Sequence, residues 1–233
     1  MSVCLEGLNE RQREAVLWEK GPLLVLAGPG SGKTRVLTTR AARLLDEDRD
    51  ASVLALTFTN RAAGEMRERV NAVAPRARYR AHLCTFHSFA ADLLRQHGAH
   101  IGIPPDYSLL TMDEDRIWVL EQAVGTLPAD EVSALPADRR NLLGLIDRLF
   151  AESYAFRSDY RLPAGTEGWL PQVFRSYCEG LLRINKLDFG ALLHFACRLL
   201  EKMPAVAGVV RLAWTYVCVD EFQDTNRAQY DLL

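Results

Sequence analysis

Four runs along the chain have the apolar pattern of strands, and the segments between them have the pattern of helices. Pro22–Ala27 (PLLVLA) is wholly apolar and enters a glycine-rich turn. Such a run suits a strand buried on both faces of a parallel sheet. Ser52–Thr59 (SVLALTFT) repeats the pattern, Tyr79–Thr85 (YRAHLCT) alternates, and Thr215–Val219 (TYVCV) is the fourth. Asn9 is placed to cap a helix ending near Glu19, and Asn60 to cap Arg61–Val73. Thr34–Leu45 carries Val36, Leu37, Ala41, Leu44 and Leu45 at helical spacing. Strands alternating with helices of this length predict an α/β fold, a doubly wound parallel sheet with helices on both faces.

The middle of the chain has a different rhythm. Between Leu94 and Lys202 come six prolines (104, 105, 128, 136, 163, 171) with amphipathic stretches between them. Thr111-Met112-Asp113-Glu114 fits a capping box that opens a helix to about Gly125. Arg139–Tyr154 presents Leu142, Leu143, Leu145, Ile146, Leu149 and Phe150 as a helical core face. Trp169–Arg183 and Phe189–Lys202 complete the set, with Asp188 capping the last. This pattern predicts an all-helical insertion over 93–200, and a discontinuous α/β domain made of 1–92 and 201–233.

The composition is that of an ordinary soluble domain: 233 residues, 48% hydrophobic, 25% charged, net charge −2. A near-neutral chain is not one coated in nucleic acid, but a local groove for one strand remains open to it. No run approaches the ~18 apolar residues that span a bilayer. The opening MSVCLEGLNERQ lacks the flank and core of a signal peptide, so a cytoplasmic protein is expected. Five scattered cysteines form no CxxC pair, which favours reduced structural thiols over zinc or a disulfide framework.

Two segments carry chemistry. Ala27-Gly28-Pro29-Gly30-Ser31-Gly32-Lys33-Thr34 follows the phosphate-binding pattern G-x-x-x-x-G-K-[ST], with Ala27 in the first place. Glycines let successive N–H groups curl round an anion, and the following helix turns its positive end towards it. Lys33 adds charge at the β- and γ-phosphates, and Thr34 offers a hydroxyl to Mg²⁺. In Tyr216–Glu221 (YVCVDE) an apolar strand delivers two acids at its C-terminal end, where α/β sheets bind ligands. Asp220 is placed to hold Mg²⁺, directly or through water, and Glu221 to orient and polarise the attacking water.

Val219–Asn226 (VDEFQDTN) resembles the DExx box of UvrD/Rep/PcrA-type superfamily 1 DNA helicases. Leu8–Gln12 (LNERQ) is similar to the family's Q motif, Leu56–Val70 to motif Ia and Thr85–Ala90 (TFHSFA) to motif Ib. Leu187–Leu193 (LDFGALL) resembles the segment that leads back from the insertion. The resemblance implies a RecA-like P-loop NTPase domain with ATP and Mg²⁺ as cofactors. Catalysis would rest on Lys33, Asp220 and Glu221, and metal binding on Thr34 and Asp220. Gln12 would read adenine, and the nucleotide set would run from Ala27 through Arg35. Single-stranded DNA would meet Phe58, Thr59, Asn60, Arg61, Thr85 and His87, with Phe58 able to stack on a base for roughly 1–3 kcal/mol.

Six arginines against two glutamates between Arg61 and Arg80 point the same way, to a phosphate groove. The acidic stretch Asp106–Glu131, with Arg116 its one basic residue, points away from DNA.

The family's γ-phosphate sensor, arginine fingers and second motor domain have no counterpart in these residues. An arginine finger is worth about 10³–10⁵ in rate. Weak ATP·Mg²⁺ binding, slow hydrolysis and no unwinding are therefore expected of these residues alone. A 3′→5′ translocase and helicase acting in repair or replication is the reading implied. A helicase subunit of a helicase–nuclease and a non-catalytic ssDNA-binding module are the alternatives.

Overall fold

The computed structural model describes residues 5–19, 21–133 and 135–233, and of 76–78 the backbone alone. In chain order come α1 (Glu10–Leu17), α2 (Lys33–Glu47), β1 (Val53–Thr57), α3 (Asn60–Val73), β2 (Ala81–Thr85) and α4 (Phe86–His97). Next are β3 (Ser108–Leu109), α5 (Asp113–Val124), α6 (Ala129–Val132), α7 (Arg139–Ala151) and α8 (Leu170–Arg183). The last are β4 (Lys186–Leu187), α9 (Phe189–Lys202), α10 (Pro204–Ala213), β5 (Tyr216–Val219) and α11 (Arg227–Leu232).

These elements form two compact units. The first contains the described residues up to Ser88 together with Ala207–Asp224, and the second contains Phe89–Val206 and Thr225–Leu233. Residues 225–233, expected with the sheet, belong instead to the helical unit, where α11 packs on α9 and α7. The cause is apolar: Ala228 and Leu232 are buried, and the Cys197 thiol donates to the Ala228 carbonyl at 3.5 Å.

In the first unit the sheet is parallel, in the order β2–β1–β5. Every residue of β1 is buried, as a central parallel strand requires. Ala41, Ala42 and Leu45 of α2 pack with Val53 and Ala55 of β1 and with Met66 and Val70 of α3. Two arginines fix α1 to α2. Arg43 Nε donates to the Val16 carbonyl at 2.9 Å, and Arg40 Nη1 donates to the carbonyls of Ala15, Val16 and Trp18. They satisfy acceptors that the end of α1 leaves open.

The expected first strand is not formed. Residues 22–27 lie outside the sheet, and Leu24 and Leu26 are 67% and 86% exposed. A strand needs a ladder partner, and β5, at the sheet edge, pairs with β1 alone among the described residues. An apolar run codes for burial in a sheet but does not supply its neighbour.

Other expectations shift by a residue or two. Thr59, not Asn60, caps α3, its hydroxyl accepting from Ala62 N at 3.1 Å. The Thr111 capping box is absent, and α5 starts after Met112 with no side-chain cap. Residues 75–80 form a 3₁₀ turn, so β2 begins only at Ala81.

In the helical unit, α5, α7, α8 and α9 surround a core of Leu142, Ile146, Leu149, Leu120, Tyr177 and Leu181. A Cβ at Gly190 would overlap the Phe150 ring, so glycine permits the close approach of α7 and α9. The four described cysteines are free, and burial pushes Cys197 up to about 12 and Cys218 up to about 11. Cys4 lies outside the described residues.

His194 sits 7% exposed among the rings of Phe150, Phe156, Phe174 and Phe195. Burial first, and Arg198 second, push its imidazole down to about 4. The unfolded chain takes up this proton near pH ~6.5 and the folded chain does so only near 4. Stability is therefore complete above the unfolded value and is lost as pH falls between the two, by roughly 3 kcal/mol in all. His194→Phe removes this part of the acid sensitivity. Urea midpoints at pH 7 and pH 4.5 read the difference, and equal slopes for the two proteins would contradict it.

Candidate nucleotide and DNA site

The parallel register brings the chemistry to one end of the sheet. Thr57 lies beside Thr85, and Leu56 beside Val219. Phe58–Arg61, Thr85–His87 and Asp220–Glu221 thus all leave the C-terminal ends of three adjacent strands, the ligand-binding end of an α/β sheet.

The loop 27–32 feeds α2, whose N-cap Gly32 is in the left-handed region (φ 86°) and makes no side-chain cap bond. The first N–H groups of α2 therefore remain open to an anion. Gly30 is also left-handed (φ 73°), and a Cβ at Gly28 or Gly30 would meet open space within 4 Å. The Ser31 hydroxyl donates to the Gly28 carbonyl at 2.6 Å and tightens the turn.

The acidic pair converges on this loop. Thr34 Oγ1 donates to Asp220 Oδ2 at 3.0 Å, and Lys33 Nζ lies 3.7 Å from Glu221 Oε1. Asp220 is 5% exposed and is held by its own N–H to the Leu56 carbonyl at 2.9 Å. Glu221 is one of three non-glycine residues with positive φ among the described residues (51°). Such a backbone costs about 1–3 kcal/mol and persists where its surroundings hold it. Here Gln223 Nε2 donates to Glu221 Oε2, Asp224 N donates to the Glu221 carbonyl, and Lys33 faces Oε1.

The oxygens of Thr34 and Asp220 suit Mg²⁺. Adjacent ligands of an octahedral Mg²⁺ stand about 2.9 Å apart, close to the observed separation. Among the described residues no three His, Cys, Asp or Glu side chains are grouped to hold a metal ion, and water and phosphate would complete the shell here.

Gln12 and Arg35 flank the loop. Gln12 Nε2 donates to the Ser31 carbonyl at 2.8 Å while its Oε1 accepts from Asn9 N at 2.9 Å. Arg35 Nη2 donates to the Glu6 carbonyl at 3.2 Å. Sequence reading placed both residues near nucleotide but contained no signal for these backbone partners.

The strand ends expected to meet DNA are mixed in exposure. Thr59, Asn60 and Arg61 are exposed, and Arg61 pairs with Glu65 at 3.1 Å. Phe58 is half-buried, its ring 5.7 Å from that of Phe86. Thr85 is 7% exposed, and its hydroxyl accepts from Ser88 N at 3.1 Å. Burial holds the His87 imidazole below its usual value.

The arginine excess is in part structural, which corrects the expectation of a phosphate groove throughout. Arg67 donates to the Leu83 carbonyl at 2.8 Å, and Arg80 to the carbonyls of Asp48, Ala51 and Leu45. Both serve as backbone caps, and Arg69 faces Glu65 at 4.0 Å. The side chains of Arg76 and Arg78 lie outside the described residues.

Residues 8–233 match the family described as UvrD/REP helicase N-terminal domain. The chain is 38% identical over 232 residues to the ATP-dependent DNA helicase PcrA of Bacillus subtilis (strain 168), covering 98% of this chain and 31% of that protein. It is 34% identical over 244 residues to PcrA of Staphylococcus aureus (strain Mu50), covering 100% of this chain and 32% of that protein. The chain thus spans about a third of the length of these relatives. A loop and an acidic pair that meet at one end of a parallel sheet, and a match over nearly every residue, lead to one conclusion: the chain belongs to the UvrD/Rep helicase N-terminal domain family.

Proposed function

We propose that this chain is the Mg·ATP-binding and ssDNA-contacting part of a 3′→5′ DNA helicase or translocase acting in cytoplasmic DNA repair or replication. The observation that carries the reading is the contact of Thr34 with Asp220, beside the pairing of Lys33 with Glu221. Loop 27–32, the start of α2 and Lys33 take the phosphates. Thr34 and Asp220 would hold Mg²⁺, which would supply positive charge to offset that of the phosphates. On nucleotide binding the Lys33 ammonium turns from Glu221 to phosphate, and Glu221 Oε1 becomes free to orient water.

Thr59, Asn60 and Arg61 take the DNA backbone, and Phe58 takes a base. Catalytic turnover and unwinding require a second motor domain in a longer polypeptide, which supplies the arginine that stabilises the transferring phosphoryl group.

Equilibrium titration of this chain with fluorescent ATP tests the nucleotide half. Binding depends on Mg²⁺, and Lys33→Ala weakens it about 10- to 100-fold, the worth of a charge-assisted contact. Binding that ignores both Mg²⁺ and Lys33 would sink the reading.

A further inference from the structure

We propose that the outer face of α5 is a docking surface for a basic protein segment, one that carries Lys or Arg around an apolar residue. The inner face of the helix is committed to the core. Val119, Leu120, Ala123 and Val124 are buried. On that side α8 comes so close that a Cβ at Gly180 would stand 3.1 Å from Val119 Cγ1. Arg116 ties the first turn of α5 to Asp147 and Asp188. The outer face is therefore held in place before any partner arrives, which lowers the ordering cost of binding there.

At about 100° per residue, Glu114, Asp115, Trp118, Glu121 and Gln122 fall within roughly a third of the helix circumference. All five are exposed, and the half-buried Ile117 borders them. Trp118 stands near the middle of this face and is 55% exposed. Glu121 pairs with Arg139 at 2.9 Å, whereas Glu114 and Asp115 have no ion pair among the described residues. An exposed tryptophan is the kind of side chain that anchors a protein interface once a pocket closes on it. Charge selects the occupant. Unpaired carboxylates beside the indole repel the phosphates of nucleic acid, and a second copy docked face to face would set acid against acid. Lys or Arg meets these carboxylates and can also lie on the indole ring. The acids that point away from DNA thus gain a partner of opposite charge.

The test uses a labelled amphipathic peptide of Lys, Leu and Ala, and its counterpart with Glu in place of Lys. Each is titrated into the chain at physiological ionic strength and followed by fluorescence anisotropy. The Lys peptide is expected to bind and the Glu peptide not to. Trp118→Ala weakens binding about tenfold, and Glu114→Lys combined with Asp115→Lys does so at least as much. Glu179→Lys combined with Glu201→Lys makes the same change in net charge at exposed positions of α8 and α9, and leaves affinity within about twofold. All five positions are exposed, and unchanged far-UV circular dichroism confirms that the variants fold. Failure of the Lys peptide to bind, equal losses in the two charge-reversed pairs, or an affinity indifferent to Trp118 overturns the proposal. Single-stranded DNA that competes with the peptide, or a dimer of the chain that Trp118→Ala dissolves, assigns the face to another occupant and overturns it as well.

Discussion

Glu221→Gln, made in a full-length polypeptide carrying these residues, is expected to lower kcat for ATP hydrolysis about 10²–10⁴-fold while Mg·ATP affinity stays within about threefold. The substitution keeps the shape of the side chain and its reach towards water. It removes the negative charge that would orient and polarise that water. Lys33 loses its resting partner at 3.7 Å and stays available to phosphate, so binding does not suffer. Asp220 stays in place, because its anchors are the Leu56 carbonyl and Thr34. Steady-state hydrolysis and nucleotide titration on the same preparation separate the two effects. A variant that turns over within threefold of wild type would falsify the role given to Glu221. A variant that loses binding and turnover together would make Glu221 a structural residue of the strained turn.

The second large effect falls on stability. Asp188→Ala in this chain is expected to cost the helical unit about 3–5 kcal/mol, a large part of what a domain of this size holds. Asp188 is 1% exposed and carries three bonds. Oδ1 accepts from Ala191 N at 2.8 Å and caps α9, while Oδ2 accepts from Tyr177 Oη at 2.7 Å and from Arg116 Nε at 3.0 Å. Arg116 also meets Asp113 and Asp147, so one guanidinium ties α5 and α7 to the start of α9. Alanine removes the cap and leaves the Tyr177 hydroxyl buried without its acceptor. Asp188→Asn keeps one oxygen, which serves the α9 cap or the Tyr177 hydroxyl but not both, and loses the charge, so it falls between alanine and wild type. Urea unfolding followed by far-UV circular dichroism gives the order. Equal midpoints for the Asp188→Ala variant and the wild-type chain would show that the network contributes nothing.

The acidic stretch in the middle of the chain gains a meaning from this network. Asp113 faces Arg116, and Glu121 pairs with Arg139 at 2.9 Å. Some of the acids that looked like a departure from a DNA-binding surface are partners of arginines inside the unit. The arginines of 61–80 tell the matching story, since Arg67 and Arg80 serve backbone carbonyls. Net charge along a sequence counts residues, and only the fold shows which charges are already engaged by their neighbours.

Several local signals were legible where a residue acts within a few positions of itself, though the expected caps at Thr111 and Asn60 were not formed. Asn9 and Asp188 cap the helices expected of them, because a side chain and the N–H it accepts lie three residues apart. The glycines at 30 and 32 were readable because only glycine adopts their left-handed backbone angles at no steric cost. The acids at 220 and 221 were readable because an apolar strand ends just before them. The left-handed turn at Glu221 was not, since nothing in the residue type requires it.

What the amino-acid order determined by itself was therefore short in range: helix spans, the central parallel strands, and the glycine-rich loop and acidic pair as candidates for chemistry. Tertiary structure decided the rest. It joined Thr34 to Asp220 across 186 positions, gave Gln12 the Ser31 carbonyl, moved 225–233 onto the helical unit and left 22–27 outside the sheet. The physical reason is that hydrogen-bond partners, burial and ladder neighbours belong to pairs of segments. An apolar or polar pattern states what a segment needs, and only packing states which other segment meets the need.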